Sequence, residues 1–358
     1  MIFIASILPE REIKTQPASL AAYLYQKKII EFCNPTLTIS IIPVYIKKAY
    51  RDCENDIFYI NSGRLKNYLL FNISKLIGDT WVSIRLINKY KKEKIWFYNL
   101  SKSTFFIGFF AKYLLRRKIY IIVADYNVPK TMSEKIIDRL IKKFNGAIVL
   151  NSNINIVNNR QIMPGLLREN EIVFPDSVGS ISKKILLSGS LGYTTGIDFA
   201  LEFFSKQPEY ELYITGVRYN MNENAFNSLI EKYSQFKNIF FMGNVEYEKY
   251  IHILKDCDVC LSLRDPLDIQ HDYNFPSKIL EYLCYNKLVI STKYYKDLPS
   301  GLIFVTEKHE SGLELTLNKI FSMNEFEIRN QKKYIYDQLK NNYSSITLQS
   351  KIKELYYE

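Results

Sequence analysis

The feature that most constrains this chain is an alternation repeated through its second half. Short apolar runs, closed by a glycine or a charged residue, lead into segments with helical apolar spacing. Strands are predicted over 185–188, 211–215, 239–242, 258–263 and 288–291. Helices are predicted over 197–205, 223–236, 246–255 and 276–285, with loops over 189–196 and 264–275. Strand, loop and helix in this order specify an α/β protein whose sheet is doubly wound and mostly parallel. Such sheets bind ligands beyond the carboxyl ends of their strands. Those ends fall at Gly189, Gly216, Gly243 and Arg264.

The first half carries the same pattern less cleanly. Residues 1–8 read as a first strand, and 119–124 form a continuous apolar run ending at Asp125. Ser133 is placed to cap a helix whose residues Ile136, Ile137, Leu140, Ile141 and Phe144 share one face, with Gly146 as its stop and a strand over 147–150. The pattern weakens over 165–182, where the linker is expected. A chain of 358 residues suits two domains. They are expected at 1–170 and 180–341, with the helix at 342–358 packing back on the first. Polar helices over 325–341 and 348–357 should lie on the surface.

Charge divides the same way. Residues 1–170 hold 27 Lys/Arg against 12 Asp/Glu, a net +15, whereas 171–358 are at −4. A basic half attracts nucleic acid, an anionic membrane face or a phosphorylated substrate; Lys-rich codon usage is the bland alternative. No run of about 18 uncharged apolar residues could span a bilayer. Residues 105–115 come nearest, interrupted by Lys112 and followed by Arg116, Arg117 and Lys118. They read either as an aromatic segment for a membrane interface or, preferably, as a core helix with a basic end. Residues 1–8 lack a basic start and run into Pro9, so no signal peptide is read there. Five cysteines, odd in number and scattered, suggest reduced thiols in the cytoplasm. Cys257 and Cys260 have metal-type spacing without a second pair and read as core; His252, His271 and His309 are too dispersed for a metal centre.

Two segments carry chemistry. Ser188 to Gly196, S-G-S-L-G-Y-T-T-G, follows a strand and opens a helix. Its amides could approach a diphosphate at a helix N-terminus, or its glycines could be simple turns. Asn274 to Leu283, N-F-P-S-K-I-L-E-Y-L, places Pro276 at a helix start and Ile279, Leu280 and Leu283 on the apolar face. Lys278 and Glu281, three apart, share another face. They are either an ordinary surface ion pair or a cation for phosphate beside a carboxylate for ribose hydroxyls.

The segment from Phe275 to Ser291, with Pro276, Lys278, Glu281 and the run Asn286-Lys287-Leu288-Val289-Ile290, resembles the donor-site helix of the large retaining glycosyltransferase family four. Earlier elements resemble that family in order: the Gly189 loop, Ile214-Thr215-Gly216, Phe240-Phe241-Met242-Gly243, and 258–263. The likeness is good over 183–300, loose over 119–165 and slight over 1–118. It implies a GT-B fold, two facing doubly wound Rossmann-like domains with mostly parallel sheets and the active site in the cleft. It implies that Glu281 holds the donor ribose, that transfer proceeds without metal or other cofactor, and that dipoles and basic side chains stabilise the leaving diphosphate.

The chain departs from that pattern where charge matters. Ser190 and Thr195 stand where the family has Arg and Lys, and Tyr273 stands at its first acidic position, beside Asp272 and Asn274. No histidine precedes His252. Lys278 and Arg264 are then the expected phosphate cations, helped by Ser190, Thr194 and Thr195. Asp125 is the polar group expected near the donor sugar, or else a turn cap. The expected catalytic set is Asp125, Lys278 and Glu281. The donor set adds Gly189, Ser190, Thr194, Thr195, Gly196, Gly216, Met242, Gly243, Arg264, Asn274, Phe275, Pro276 and Ser277. Glu10, Arg11 and Lys14 are placed at the acceptor. The partners expected are a UDP- or GDP-sugar, a glycan or polyprenyl-linked acceptor and an anionic membrane, with no nucleic acid. The expected location is the cytoplasmic membrane's inner face. A nucleotide-sugar 2-epimerase and a non-catalytic nucleotide-sugar binder are the alternatives on this scaffold.

Overall fold

The computed structural model describes residues 1–13, 20–43, 50–63, 68–175 and 181–357. Lys14 and the side chain of Arg11, both expected at the acceptor, lie outside the described residues. The chain divides into two compact units. The first holds Met1–Leu166, Tyr273–Phe275 and Ser345–Glu358, and the second holds Leu167–Asp272 and Pro276–Ser344.

The first unit contains β1 (Ile2–Ala5), α1 (Glu10–Ile13), α2 (Leu20–Cys33), β2 (Leu37–Ile41), β3 (Tyr50–Glu54), β4 (Ile57–Asn61) and α3 (Tyr68–Lys89). It continues through β5 (Ile95–Tyr98), α4 (Phe105–Tyr113), β6 (Ile119–Val123), α5 (Met132–Ile141), β7 (Gly146–Val149) and β8 (Arg160–Ile162). The sheet order is β3-β4-β2-β1-β5-β6-β7-β8, parallel except where β3 meets β4. Strands covered on both faces must be apolar at every position, and β1 and β6 show why. Phe3, Ala5, Tyr120 and Ile122 join one core cluster, while Ile2, Ile4, Ile119, Ile121 and Val123 join the cluster on the opposite face.

The second unit contains β9 (Lys184–Leu191), α6 (Ile197–Ser205), β10 (Glu211–Arg218), α7 (Glu223–Tyr233), β11 (Ile239–Gly243), α8 (Tyr247–Asp256), β12 (Val259–Ser262), α9 (Ser277–Cys284), β13 (Leu288–Ser291), β14 (Ile303–Val305), α10 (Glu310–Ser322) and α11 (Glu325–Asn342). Its sheet, ordered β11-β10-β9-β12-β13-β14, is parallel throughout. The order reverses direction between β9 and β12, which is where a doubly wound sheet opens a ligand crevice. The last helix, α12 (Ser345–Tyr357), returns to the first unit. Leu348 and Leu355 are buried there, and Trp96 Nε1 donates to Tyr356 Oη at 2.8 Å.

Four local expectations are corrected. The cap of α5 is Thr131, not Ser133: Glu134 N donates to Thr131 Oγ1 at 3.3 Å and Thr131 N donates to Glu134 Oε2 at 2.9 Å, a reciprocal capping box. Gly146 opens β7; it does not stop α5, which has already ended at Ile141. β9 continues past Gly189 to Leu191 because β10 extends beside it, pairing Gly216 with Gly189 and Arg218 with Leu191. In α4, expected as a core helix, only Ile107, Gly108 and Ala111 are buried, while Phe106, Phe109 and Tyr113 face outward. Cys257 and Cys260 are buried free thiols, as packing residues should be.

Candidate functional site

The strand ends at the β9/β12 switch are shaped by two glycines. Gly216 sits at φ +144°, and a Cβ there would lie 1.9 Å from the carbonyl oxygen of Gly189, so β10 and β9 approach in a way no other residue permits. Gly189 itself is at φ +113°, and a Cβ built on it would meet Cε of Lys278 at 3.5 Å. The stem of Lys278 therefore lies along the end of β9, held there by α9.

Helix α9 begins after Pro276, whose carbonyl accepts from Ile279 N and Leu280 N. Ile279, Leu280, Tyr282 and Leu283 are buried. Burying that face leaves Lys278 and Glu281 together on the other side, with Lys278 Nζ at 2.7 Å from Glu281 Oε2. A third member comes from α8. Tyr250 Oη donates to Glu281 Oε2 at 2.8 Å and accepts from Lys278 Nζ at 3.3 Å, and the ammonium also lies 4.4 Å from the ring centroid. Ser188 Oγ lies 2.9 Å from Tyr282 Oη and donates to Tyr250 Oη at 3.4 Å, tying the strand end to both helices. Burial first, then the neighbouring Tyr282 and Glu281, push the Tyr250 phenol far above its ordinary pKa. Tyr250 thus stays a neutral donor and fixes the carboxylate. Both bonds fall on Oε2, so Oε1 is the oxygen that can meet a ligand.

The loop after β12 brings a second cation. Nη1 of Arg264 is buried and has no well-aligned hydrogen-bond partner, and the guanidinium's interaction with the buried Tyr295 phenol partly offsets the rise that burial gives that phenol's pKa. A buried guanidinium nitrogen left unpaired is costly unless something anionic fills the site. Asp265 N donates to Thr194 O at 2.9 Å, which fastens this loop to the turn after β9. Burial and then the Arg264 charge lower the His271 pKa, so His271 adds no charge at neutral pH. Lys293 pairs with Asp272 at 2.5 Å.

The other expected site residues separate into groups. Ser190 is exposed on β9 and Thr194 half-buried. The Thr195 hydroxyl accepts from Gly192 N at 2.8 Å and donates to Gly192 O at 2.9 Å, closing its own turn. Gly196 is buried at the start of α6, Met242 and Gly243 end β11, and Ser277 is exposed at the start of α9. Asn274 and Phe275, expected with the donor, belong to the first unit. Asn274 bridges Asp125, which is exposed beyond β6, and Phe275 packs on that unit's core. Glu10 accepts from Lys27 Nζ at 3.3 Å. Tyr250 is the member of the network that the sequence did not point to. Among the described residues no three His, Cys, Asp or Glu gather as a ligand set.

Residues 171–302, which carry this network, match the family model described as glycosyl transferases group 1. No curated protein matches the chain in sequence. Among solved structures, sucrose-phosphate synthase from Thermosynechococcus elongatus is similar with a TM-score of 0.68 at 11% identity, covering 100% of both chains. The Anabaena protein HepE, solved with UDP and glucose, is similar with a TM-score of 0.65 at 12% identity, covering 99% of this chain and 98% of that one. A glycosyltransferase from Rickettsia africae gives 0.68 at 14% identity, covering 99% and 97%. These likenesses establish the fold as GT-B, two Rossmann-like α/β domains. The family match over the site-bearing segment supports the group 1 glycosyltransferases and, with them, glycosyl transfer.

Proposed function

We propose that this chain transfers a sugar from a UDP- or GDP-sugar, bound at the strand ends of the second unit, to a glycan or polyprenyl-linked acceptor at an anionic membrane surface. The observation that carries the reading is the Glu281 carboxylate, oriented by Tyr250 and Lys278 beside the Gly189–Gly216 strand ends. A carboxylate oxygen held in place accepts well from two vicinal hydroxyls, which is what a nucleotide ribose presents. The departing diphosphate needs positive charge where its own negative charge grows. In this reading Lys278 and Arg264 supply it in place of the family's Arg and Lys, whose positions hold Ser190 and Thr195, and the lack of a well-aligned partner for Arg264 Nη1 supports that role. No bound metal is needed in this scheme, and retention of the anomer follows from the resemblance to family four. The net +15 of residues 1–170 motivates the membrane-side acceptor.

An assay of transfer and of nucleotide release over a panel of UDP- and GDP-sugars tests the reading; no release with any of them contradicts it. Arg264→Ala should raise the KM for the donor by about thirtyfold, as expected for one charge-assisted contact of about 2 kcal/mol. Its melting temperature should change little, because loss of the guanidinium's contact with Tyr295 is offset by removal of a buried nitrogen without a partner; an unchanged KM would remove Arg264 from the donor site.

Two observations favour a second reading, a nucleotide-sugar binder without turnover. Thr195 is spent on its own turn and the Lys278 charge is shared with Glu281. Calorimetric binding of a nucleotide sugar with no product under any acceptor would select it.

A further inference from the structure

Helix α3 buries an ion pair between Phe71 and Ile87 on its inner row and leaves large apolar side chains on its outer one. Lys75, Asp79 and Ser83, spaced by four, are buried against the protein, with Lys75 and Asp79 paired and Asp79 Oδ1 accepting from Ser62 N at 2.7 Å. The opposite stripe, Ile73, Ile77 and Trp81, points outward, Ile77 being 66% and Trp81 68% exposed. A run of large apolar side chains on the surface marks an interaction face, since large exposed apolar faces are otherwise avoided.

The stripe does not stand alone. α4 and α5 pack on the same sheet face as α3, through the core cluster that holds Ile87, Ile107, Ala111, Leu140 and Ile141, and α4 lies between the other two. α4 exposes Phe106, Phe109 and Tyr113, and α5 exposes Met132 and Ile136. Cations are interleaved: Arg85 and Lys89 continue the α3 stripe, Lys135 and Arg139 lie on α5, and Arg116 and Lys118 follow α4, all exposed. The acids of these three helices are all engaged. Asp79 is buried with Lys75, Glu134 serves the capping box, and Asp138 Oδ1 accepts from Tyr126 while Oδ2 pairs with Lys142 at 2.8 Å.

We infer that the outer face of α3, α4 and α5 docks on an anionic lipid bilayer, with its aromatic and aliphatic side chains entering the interface and its cations facing the headgroups. Aromatic side chains with basic neighbours and no opposing acid suit that boundary, whereas a second copy would bring the same positive charge against itself. The inference gives a location to the membrane-side acceptor proposed above, but it rests on this face and not on the donor site. No helix among the described residues is long and apolar enough to cross a membrane.

Co-sedimentation of the full chain with vesicles tests it, using phosphatidylcholine alone and phosphatidylcholine with about a quarter phosphatidylglycerol. Binding is expected to the anionic vesicles only and to weaken as salt rises. The triple variant Arg85→Glu, Lys89→Glu, Arg139→Glu should weaken it on the order of a hundredfold. The double variant Trp81→Ser, Phe109→Ser should weaken it by at least about tenfold. Both variants change exposed residues, so circular dichroism should match the parent and donor turnover with a water-soluble acceptor should be retained, while the double variant melts slightly lower because Phe109 also touches Phe105, Phe110 and Tyr113. Equal vesicle binding by parent and variants overturns the inference. So does a concentration-dependent dimer in ultracentrifugation that Trp81→Ser, Phe109→Ser dissolves while no vesicle binding is seen. Vesicle binding as expected in a protein without turnover on any acceptor would leave the docking face standing and remove the catalytic reading.

Discussion

Glu281→Ala is expected to lower kcat/KM for the nucleotide-sugar donor by about a thousandfold while the protein stays folded. The estimate follows from two charge-assisted hydrogen bonds to ribose hydroxyls at about 2 kcal/mol each. Folding should survive because the side chain is not part of the core: Ile279, Leu280, Tyr282 and Leu283 anchor α9 without it. Removing the carboxylate also frees Lys278 and leaves the Tyr250 hydroxyl without its acceptor, so a modest loss of stability accompanies the loss of activity. Glu281→Gln separates the two effects. It keeps an acceptor for Tyr250 and removes the charge, so its melting temperature should lie near the parent's while its activity stays low. Steady-state kinetics on both variants, with melting curves alongside, would check this. Parent-like kinetics in Glu281→Ala would take the carboxylate out of the site.

The second large effect is on stability. Gly216→Ala should destabilise the protein by about 4 kcal/mol, combining a backbone conformation that side chains avoid with an overlap that the sheet cannot relieve. The overlap is with backbone: the new Cβ would sit 1.9 Å from Gly189 O, within a strand pair in register from Lys184 to Leu191. For a protein of 358 residues that corresponds to a melting temperature lower by about 5 °C. Gly243→Ala is the control. Gly243 also has positive φ, at +67°, but nothing lies within 4 Å of its added Cβ, so about 1 kcal/mol is expected. Equal losses in the two variants would mean that the close approach of β9 and β10 is not what Gly216 serves. A donor-binding defect in Gly216→Ala beyond its stability loss would follow from displacing Gly189 and, with it, the stem of Lys278.

What could be read from the sequence was local. The strand and helix alternation of the second unit appeared because each buried strand is apolar throughout and each helix has one buried face. The Lys278–Glu281 pair appeared because both residues are on one short helix, three apart. Tyr250 did not, since its bond to Glu281 joins α8 to α9 and no spacing rule connects residues 31 positions apart. At the start of α5 the sequence offers two caps, Ser133 and Thr131, and the capping-box pairing of Thr131 with Glu134 decides for Thr131. The run 105–115 reads as core by composition, and only packing decides that Phe106 and Phe109 turn away from the sheet. The placement of Tyr273–Phe275 with the first unit is likewise a tertiary outcome, fixed by the bridge from Asn274 to Asp125 and the packing of Phe275.

A crystal structure of the protein with a nucleoside diphosphate or its sugar tests the central claim most directly. The ribose hydroxyls should lie within hydrogen-bond distance of the Glu281 carboxylate, with the diphosphate beside Lys278 Nζ and Arg264 Nη1 at the ends of β9 and β12. A nucleotide seated elsewhere, with Glu281 still bonded only to Tyr250 and Lys278, would contradict it.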